Sequence, residues 1–182
     1  MELYFNTINN TKKEEIREIF NDKKYDIKFL DNDVTEILSH DLIEVVKAKV
    51  AAAYCLCRVP VIVEHGGLFI NYFNGFPGPL SKPMWDLMEG KICSLIPNGE
   101  SRDAIAMSAI GYCDGKTRQI FSAKTEGKIS IKAAGSFGFQ WDPIFIPNGN
   151  KQTYGEMKTV DKMKFSQAAK AYRDLMNYLN CK

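Results

Sequence analysis

The chain has 182 residues, of which 45% are hydrophobic and 25% are charged, as in an ordinary globular protein. This length suits one well-buried domain, or two lobes that share a sheet, so we expect a single domain over residues 1–182. The 24 lysines and arginines nearly balance the 22 aspartates and glutamates, which excludes a chain-wide basic surface for nucleic acid. The longest apolar run, residues 50–57, is too short to cross a bilayer. We therefore expect neither nucleic acid nor a membrane as a partner.

The cysteines indicate the compartment. Their number is odd, they form no CxxC pair, and the chain has only two histidines, His40 and His65. A disulfide framework and a Cys/His zinc site are therefore both disfavoured. The first residues also lack the basic start and long apolar core of a secretory signal. We expect reduced thiols in a cytoplasmic protein.

Strands and helices interleave along the chain, with hairpins in the second half. A capping box at Thr11–Glu14 predicts that the first helix begins at Thr11, and Asp114-Gly115 and Glu126-Gly127 predict two hairpin turns. The other predicted strands cover residues 3–5, 25–30, 59–64, 104–113, 119–124 and 128–132, and the other predicted helices cover residues 41–57, 84–88 and 161–179. This order predicts a mixed α/β fold.

The first candidate site is the segment from Thr7 to Lys13. A strand, a polar turn and a capped helix start place free backbone amides beside Lys12 and Lys13, which suits an anion. A solvated capped helix would show the same pattern, so spacing alone leaves both interpretations open.

The second candidate site is Glu64-His65-Gly66-Gly67, which we expect at the end of a buried strand. Together with Glu36, Glu64 could hold Mg²⁺ against phosphate oxygens. The alternatives are a loop histidine bonded to backbone and a solvated glutamate.

The third candidate site is the loop from Gly135 to Pro143, which contains three aromatic residues and two glycines. Aromatic faces in such a loop can stack on a nucleobase, although a core plug would have the same composition. Lys162, Ser166 and Gln167, in the last predicted helix, could line the same cleft.

Taken together, these segments resemble the Ham1 family, the inosine triphosphate pyrophosphatases that clear non-canonical purine nucleotides. Thr7–Lys12 stands where the family has its Thr-Gly-Asn-x-x-Lys phosphate loop. The other matching segments are Glu36, Lys49, Pro60–Leu68 (a strand ending in Glu-Asp-Thr-Gly-Leu), Asn74–Pro79 (Asn-Gly-x-Pro-Gly), Phe139–Phe145 (Phe-Gly-Tyr/Trp-Asp-Pro-x-Phe), Thr153–Met157 and Asp161-Lys162.

The resemblance implies an elongated mixed β-sheet with flanking helices and two lobes around a nucleotide cleft. It implies a homodimer, Mg²⁺, and hydrolysis of a nucleoside triphosphate to a monophosphate and pyrophosphate. The residues it assigns to the nucleotide are Thr7, Asn9, Lys12, Lys49, Phe139, Trp141, Asp142, Lys162, Ser166 and Gln167. Glu36 and Glu64 would hold the metal, and Glu64 and His65 occupy the catalytic positions.

The chain departs from the family pattern within the site. His65 replaces an aspartate that is expected to hold the metal or activate water, and an imidazole suits Mn²⁺ better than Mg²⁺. A protonated His65 would repel the metal, whereas a neutral one could act as a general base. Gln167-Ala168 replaces the His-Arg pair that reads the 6-oxo edge of the base, and Ile8 and Gln140 replace glycines.

The departures favour a protein that binds a purine triphosphate such as dITP but hydrolyses it weakly. Such a protein could act as a nucleotide sensor with an effector partner, for instance in anti-phage defence, because slow turnover preserves the bound state. The alternatives are an active pyrophosphatase of altered specificity and a scaffold that has lost nucleotide binding. The retained lysines and aromatic residues argue against the last alternative.

Overall fold

The computed structural model describes residues 2–20 and 24–181, and these form a seven-stranded mixed sheet with helices packed against it. The strands are β1 (Glu2–Asn6), β2 (Asp26–Leu30), β3 (Val61–Ile70), β4 (Pro77–Gly78), β5 (Asp103–Cys113), β6 (Arg118–Ile129) and β7 (Phe145–Pro147). The helices are α1 (Asn10–Ile19), α2 (Leu42–Cys57), α3 (Ser81–Met88), α4 (Thr159–Phe165) and α5 (Gln167–Asn180), with short 3-10 helices between them.

The strand order is β2-β1-β3-β5-β6-β7, and β4 pairs with β3 off this path. β1 runs parallel to both β2 and β3, whereas the neighbouring pairs β3-β5, β5-β6 and β6-β7 are antiparallel. The long strands β3 and β5 stay paired from Val61–Cys113 to Ile70–Ala104. This ladder makes the sheet elongated, as the resemblance implies.

The long strands β3 and β5 contribute residues to more than one hydrophobic core. This division of the core accounts for the two lobes. Leu68, Ile70 and Ala104 pack with Trp141 and Phe145 near one end of the ladder. Other residues of β3 and β5 pack with β1, α1 and α5 in a second core, and with α2 in a third. The polar cleft described below lies between these regions. No helix in the described part of the chain is long and apolar enough to span a membrane.

Helix α1 begins earlier than the predicted capping box. Asn10 is its first residue, and the Asn9 side chain accepts a hydrogen bond from the Lys12 amide at 3.2 Å. Thr11 therefore lies inside the helix, and the prediction that it caps the helix was wrong. The physical reason is that an asparagine caps a helix as well as a threonine does, and Asn9 comes first.

Strand β3 is longer than predicted. The sequence indicated a strand ending at Glu64, but the ladder continues through His65, Gly66 and Gly67 to Ile70. Glu64 therefore lies in the middle of a strand rather than at its end. A Cβ at Gly67 would lie 2.9 Å from the Gly78 carbonyl oxygen, so this glycine permits the close approach of β4 rather than a turn.

The second predicted hairpin turn, Glu126-Gly127, was also wrong, because β6 runs unbroken from Arg118 to Ile129. A Cβ at Gly127 would lie 2.3 Å from the Ile146 carbonyl oxygen and 2.6 Å from the Phe145 ring. The glycine thus makes room for β7 rather than for a turn. The first hairpin, at Asp114-Gly115, is confirmed.

The predicted last helix is two helices that meet at Ser166. The Ser166 backbone has an extended ψ of 132°, and its hydroxyl accepts from the amides of Ala168 and Ala169 at 3.1 and 3.4 Å. A serine that ends one helix and caps the next allows the chain to change direction at that residue. The spacing of apolar residues does not reveal such a change.

Candidate active site

A cleft of about 210 Å³ opens between the start of α1, the segment after β2, the middle of β3 and the junction of α4 and α5. Every residue that the family resemblance assigns to the site lines it. These are Thr7, Asn9, Lys12, Glu36, Lys49, Glu64, His65, Phe139, Trp141, Asp142, Lys162, Ser166 and Gln167. Residues from all parts of the chain thus meet in one cavity.

The first turn of α1 forms one wall. The Thr7 hydroxyl accepts from the Asn9 amide at 3.2 Å, and Asn9 in turn caps the helix, so the turn is held rigidly. Lys12 lines the cavity, whereas the neighbouring Lys13 pairs with Asp31 at 2.7 Å and does not line it. Ile8 is 70% exposed at the same turn. The wall offers a helix N-terminus and one lysine to an anion.

Glu36 lies between the side chains of Lys49 and His65. Its Oε1 lies 2.5 Å from Lys49 Nζ, and its Oε2 lies 3.3 Å from His65 Nδ1. The hydrogen bond from His65 and the charge of Lys49 lower the pKa of Glu36 to about 2, although burial opposes the shift. For Lys49, burial and the charge of Lys12 lower the pKa, and Glu36 opposes them. Lys49 also donates to the Glu64 carbonyl oxygen at 3.2 Å.

Both neighbours of the His65 ring are hydrogen-bond acceptors. Nε2 lies 3.0 Å from the Pro79 carbonyl oxygen, and Nδ1 faces the Glu36 carboxylate. A neutral imidazole has only one N–H, so both contacts are satisfied together only when both nitrogens carry protons. A neutral His65 ring can therefore make only one of these two contacts as a hydrogen bond.

Glu64 is 8% exposed and reaches the cleft from the middle of β3. Its Oε2 accepts from the Tyr172 hydroxyl at 3.0 Å, and its Oε1 lies 3.7 Å from Lys12 Nζ. That second distance is long for a hydrogen bond. Oε2 is therefore hydrogen-bonded, whereas Lys12 is too far away to donate to Oε1.

A buried ion triad lies across the cleft. Lys162 Nζ lies 2.8 Å from Glu15 Oε1 and 2.7 Å from Asp142 Oδ2. Burial alone would lower the pKa of Lys162, but Asp142 and Glu15 raise it above its ordinary value. Burial also raises the pKa of Glu15 more than Lys162 lowers it. The triad links α1 to α4 and to the loop of residues 135–143, which we call the aromatic loop.

The aromatic loop forms the opposite end of the cleft. Phe139 is half-buried, with Lys12 Nζ 5.8 Å and Lys162 Nζ 5.2 Å from its ring centroid. Trp141 is only 6% exposed, and its ring packs edge-on against Phe145 at 5.8 Å. Gln140 lines the cleft with a φ of 52°, a conformation that favours glycine. Phe139 is thus the more accessible of the two predicted stacking rings.

Gln167 is buried at the start of α5, beside Ala168. Its Oε1 accepts from the Tyr154 hydroxyl at 3.3 Å. The amide can therefore still offer hydrogen-bonding capacity to a ligand, whereas the Ala168 methyl cannot.

Two of the site's charged or polar groups, Glu15 and Tyr172, are not among the residues that the sequence predicts. Glu15 lies three residues after Lys12, on the same face of α1, so helical spacing could have identified it. Tyr172 lies within the last predicted helix, and nothing in its spacing reveals the hydrogen bond to Glu64.

The donor set decides whether a metal could be held. No group of three or more His, Cys, Asp or Glu side chains within residues 2–20 and 24–181 is placed to hold a metal ion. Mg²⁺ usually keeps several waters and takes one or two carboxylates together with substrate phosphates. Glu36 and Glu64 supply that smaller set, so the residues fit an ion delivered with a triphosphate.

Comparisons with known proteins agree with this geometry. A dITP/XTP pyrophosphatase of Saccharolobus solfataricus is 34% identical over 174 residues, which cover 95% of this chain and 91% of that protein. One from Methanopyrus kandleri is 37% identical over 175 residues, covering 94% and 92%. The solved HAM1 protein of Coxiella burnetii superposes with a TM-score of 0.84 at 21% identity over 100% of both chains. The Ham1 protein of Staphylococcus aureus gives 0.81 at 23%, covering 99% and 98%.

The two structural comparisons establish the fold, and the sequence comparisons extend over almost the whole chain. A sequence model of the Ham1 family matches residues 3–178. The chain therefore belongs to the Ham1 family.

Proposed function

We propose that the chain binds a purine nucleoside triphosphate in this cleft, with dITP or ITP as the first candidates, and hydrolyses it weakly or not at all. Lys12, Lys49 and the N-terminus of α1 would bind the phosphates, since all of them line the cavity. Phe139 and Trp141 would contact the purine, and Ser166 and Gln167 would lie at its edge. Asp142 and Lys162 would fix base or phosphate.

The observation that carries this proposal is the setting of His65. A general base needs a nitrogen lone pair, but both ring nitrogens face acceptors, Pro79 O and Glu36 Oε2. A ring with two N–H groups can neither accept a proton from water nor coordinate a metal. The family's anion is thus replaced by a ring whose two nitrogens both face oxygen acceptors.

A divalent metal, with Mg²⁺ as the expected ion and Mn²⁺ as the alternative, would neutralise charge on the phosphates when bound. Glu64 and Glu36 are the residues that would hold it. Glu36 would have to exchange contacts with Lys49 and His65, and phosphate oxygens offer Lys49 an alternative partner. The chain's own side chains would then bind the nucleotide, but none of them is an evident general base to activate a water molecule.

Slow turnover would suit a nucleotide sensor. A bound state that persists can shift the equilibrium between two conformations, and an effector protein can recognise one of them. We include in this proposal the homodimer and the effector partner that the sequence suggested.

A second candidate function is an active pyrophosphatase of altered specificity. The observation in its favour is the 34% and 37% identity to proteins named dITP/XTP pyrophosphatases over nearly the whole chain. In that case Glu64, or His65 after losing a proton, would activate water.

The experiment is a paired measurement of binding and pyrophosphate release. The nucleotides are dITP, XTP and the common dNTPs, each with Mg²⁺ and with Mn²⁺. Tight binding without multiple turnover supports the sensor, whereas turnover at enzyme-like rates contradicts it and supports the second candidate. Absence of both binding and a nucleotide-induced rise in Tm contradicts both functions.

Adjacent lysines provide a matched control for the binding site. Lys12→Met should weaken triphosphate binding about tenfold or more, since it removes a cation that lines the cleft. Lys13→Met should leave binding nearly unchanged, because Lys13 pairs with Asp31 instead. Equal effects of the two substitutions would show that the nucleotide does not occupy this cleft.

A further inference from the structure

Tyr172 is a buried tyrosine whose only polar atom on the side chain reaches the candidate site. It lies on α5, is 1% exposed, and its hydroxyl donates to Glu64 Oε2 at 3.0 Å. The residue lies behind Glu64, and it does not line the main cleft. Any effect of Tyr172 on the site must therefore be transmitted through Glu64.

The hydroxyl determines which oxygen of Glu64 is available. Oε2 is engaged by Tyr172, and Oε1 is left 3.7 Å from Lys12, a residue that lines the cleft. Without the hydroxyl, a nearly buried carboxylate would have an unsatisfied oxygen and could turn toward Lys12. The hydrogen bond thus favours one orientation of the carboxylate.

The ring of Tyr172 is itself held firmly. The centroid of its ring lies 5.9 Å from that of Phe5 in β1 and 5.7 Å from that of Phe20 at the end of α1. These two rings hold the Tyr172 ring in place. A tyrosine hydroxyl ordinarily keeps its proton near neutral pH, so it donates to the Glu64 carboxylate. A fixed ring with a permanent donor is well suited to orient a carboxylate.

We propose that Tyr172 is a positioning residue, which holds Glu64 so that its Oε1 is offered to a divalent metal bound with the triphosphate. This inference rests on the proposed function. It also gives α5 two tasks, since the helix begins with Gln167 at the base end of the cleft and carries Tyr172 one and a half turns later. One rigid helix then sets both the base edge and the metal carboxylate.

The test measures how the affinity for dITP depends on the Mg²⁺ concentration. Tyr172→Phe keeps the ring and removes only the hydroxyl, so it should raise the Mg²⁺ concentration needed for half-maximal binding about tenfold. The matched control is Tyr112→Phe. Tyr112 belongs to the same core, and its hydroxyl also contacts a carboxylate, that of Asp114 at 3.4 Å in the first hairpin turn. This control should leave the Mg²⁺ dependence unchanged, and unfolding curves of both variants report any loss of stability separately.

A double-mutant cycle with Glu64→Gln shows whether Tyr172 acts through Glu64. In the Glu64→Gln background, Tyr172→Phe should have no further effect on affinity at a fixed Mg²⁺ concentration. The inference is overturned if the effect persists in that background, or if Tyr172→Phe behaves like Tyr112→Phe. It is also overturned if wild-type affinity does not depend on Mg²⁺. A wild-type chain that binds no nucleotide overturns the proposed function itself, so the two failures are distinguishable.

Discussion

At the scale of single residues, the proposed weak hydrolysis rests on position 65. An aspartate there would add a carboxylate to Glu36 and Glu64, whereas the His65 ring places Nδ1 3.3 Å from Glu36 Oε2 and Nε2 3.0 Å from Pro79 O. We expect His65→Asp to raise the rate of pyrophosphate release from dITP by about 10²- to 10⁴-fold, the range typical of a positioned acid or base. The measurement is kcat with saturating Mg²⁺.

The other histidine provides the control for this substitution. His40 is exposed and does not line the cleft, so His40→Asp should leave the rate as it is. If His65→Asp gives no gain, the obstacle to hydrolysis lies elsewhere in the cleft, and the role assigned to His65 is wrong.

Glu36 allows a prediction about pH. Its folded pKa is lowered to about 2 from an unfolded value near 4.5, so the folded state holds the carboxylate charged over a wider pH range than the unfolded state does. Stability gained in this way is fully present above pH 4.5 and is lost as the pH falls toward 2. The difference in unfolding free energy between wild type and Glu36→Gln should therefore shrink between pH 6 and about 3.

The size of this difference should be modest, because the Glu36 side chain is 40% exposed and solvent screens its ion pair. Urea unfolding at several pH values measures it. Glu100→Gln, at an exposed glutamate, serves as the comparison. A Glu36→Gln effect that grows as the pH falls would contradict the assigned direction.

At the scale of elements, two neighbouring glycines in β3 differ in the space that their surroundings leave for a side chain. A Cβ at Gly67 would lie 2.9 Å from the Gly78 carbonyl oxygen in β4, whereas a Cβ at Gly66 would meet nothing closer than 3.7 Å. Gly67→Ala should thus destabilise the fold by about 1–3 kcal/mol through overpacking. Gly66→Ala should change the unfolding free energy by less than about 0.5 kcal/mol. Similar costs for both substitutions, measured by urea unfolding, would show that β4 adjusts freely.

At the scale of the whole molecule, the buried triad holds separate parts of the chain together. Lys162 on α4 contacts Glu15 on α1 and Asp142 beside the aromatic loop, at 2.8 and 2.7 Å. Lys162→Met would leave two buried carboxylates without their cation, so we expect a loss of about 3–5 kcal/mol in unfolding free energy. Thermal and urea unfolding report this loss directly.

Lys164, two residues further along α4, is the matched control. It pairs with Asp161 at 2.7 Å, but both side chains are mostly exposed. Lys164→Met should therefore cost less than about 1 kcal/mol. A comparable loss from both variants would mean that the triad adds nothing beyond an ordinary surface pair.

Several features of the molecule follow from local sequence. The Asp114-Gly115 hairpin and the apolar stripe of α2 are short-range patterns, and the structure has both. The candidate site residues could also be named from motifs, and all of them line one cleft. Motifs can name these residues because most of them stand close together in sequence, within a single turn, strand or loop.

Other features depend on contacts between residues that are far apart in the chain. The sequence alone determined the α/β class, the family motifs and the unusual histidine, because these depend on residue type and on spacing along a few turns. Only the tertiary structure decided that Gly127 makes room for β7, that Ser166 divides a helix, and that Tyr172 reaches Glu64. Those contacts join residues far apart in the chain, 108 positions in the last case, and local patterns carry no information about such distances.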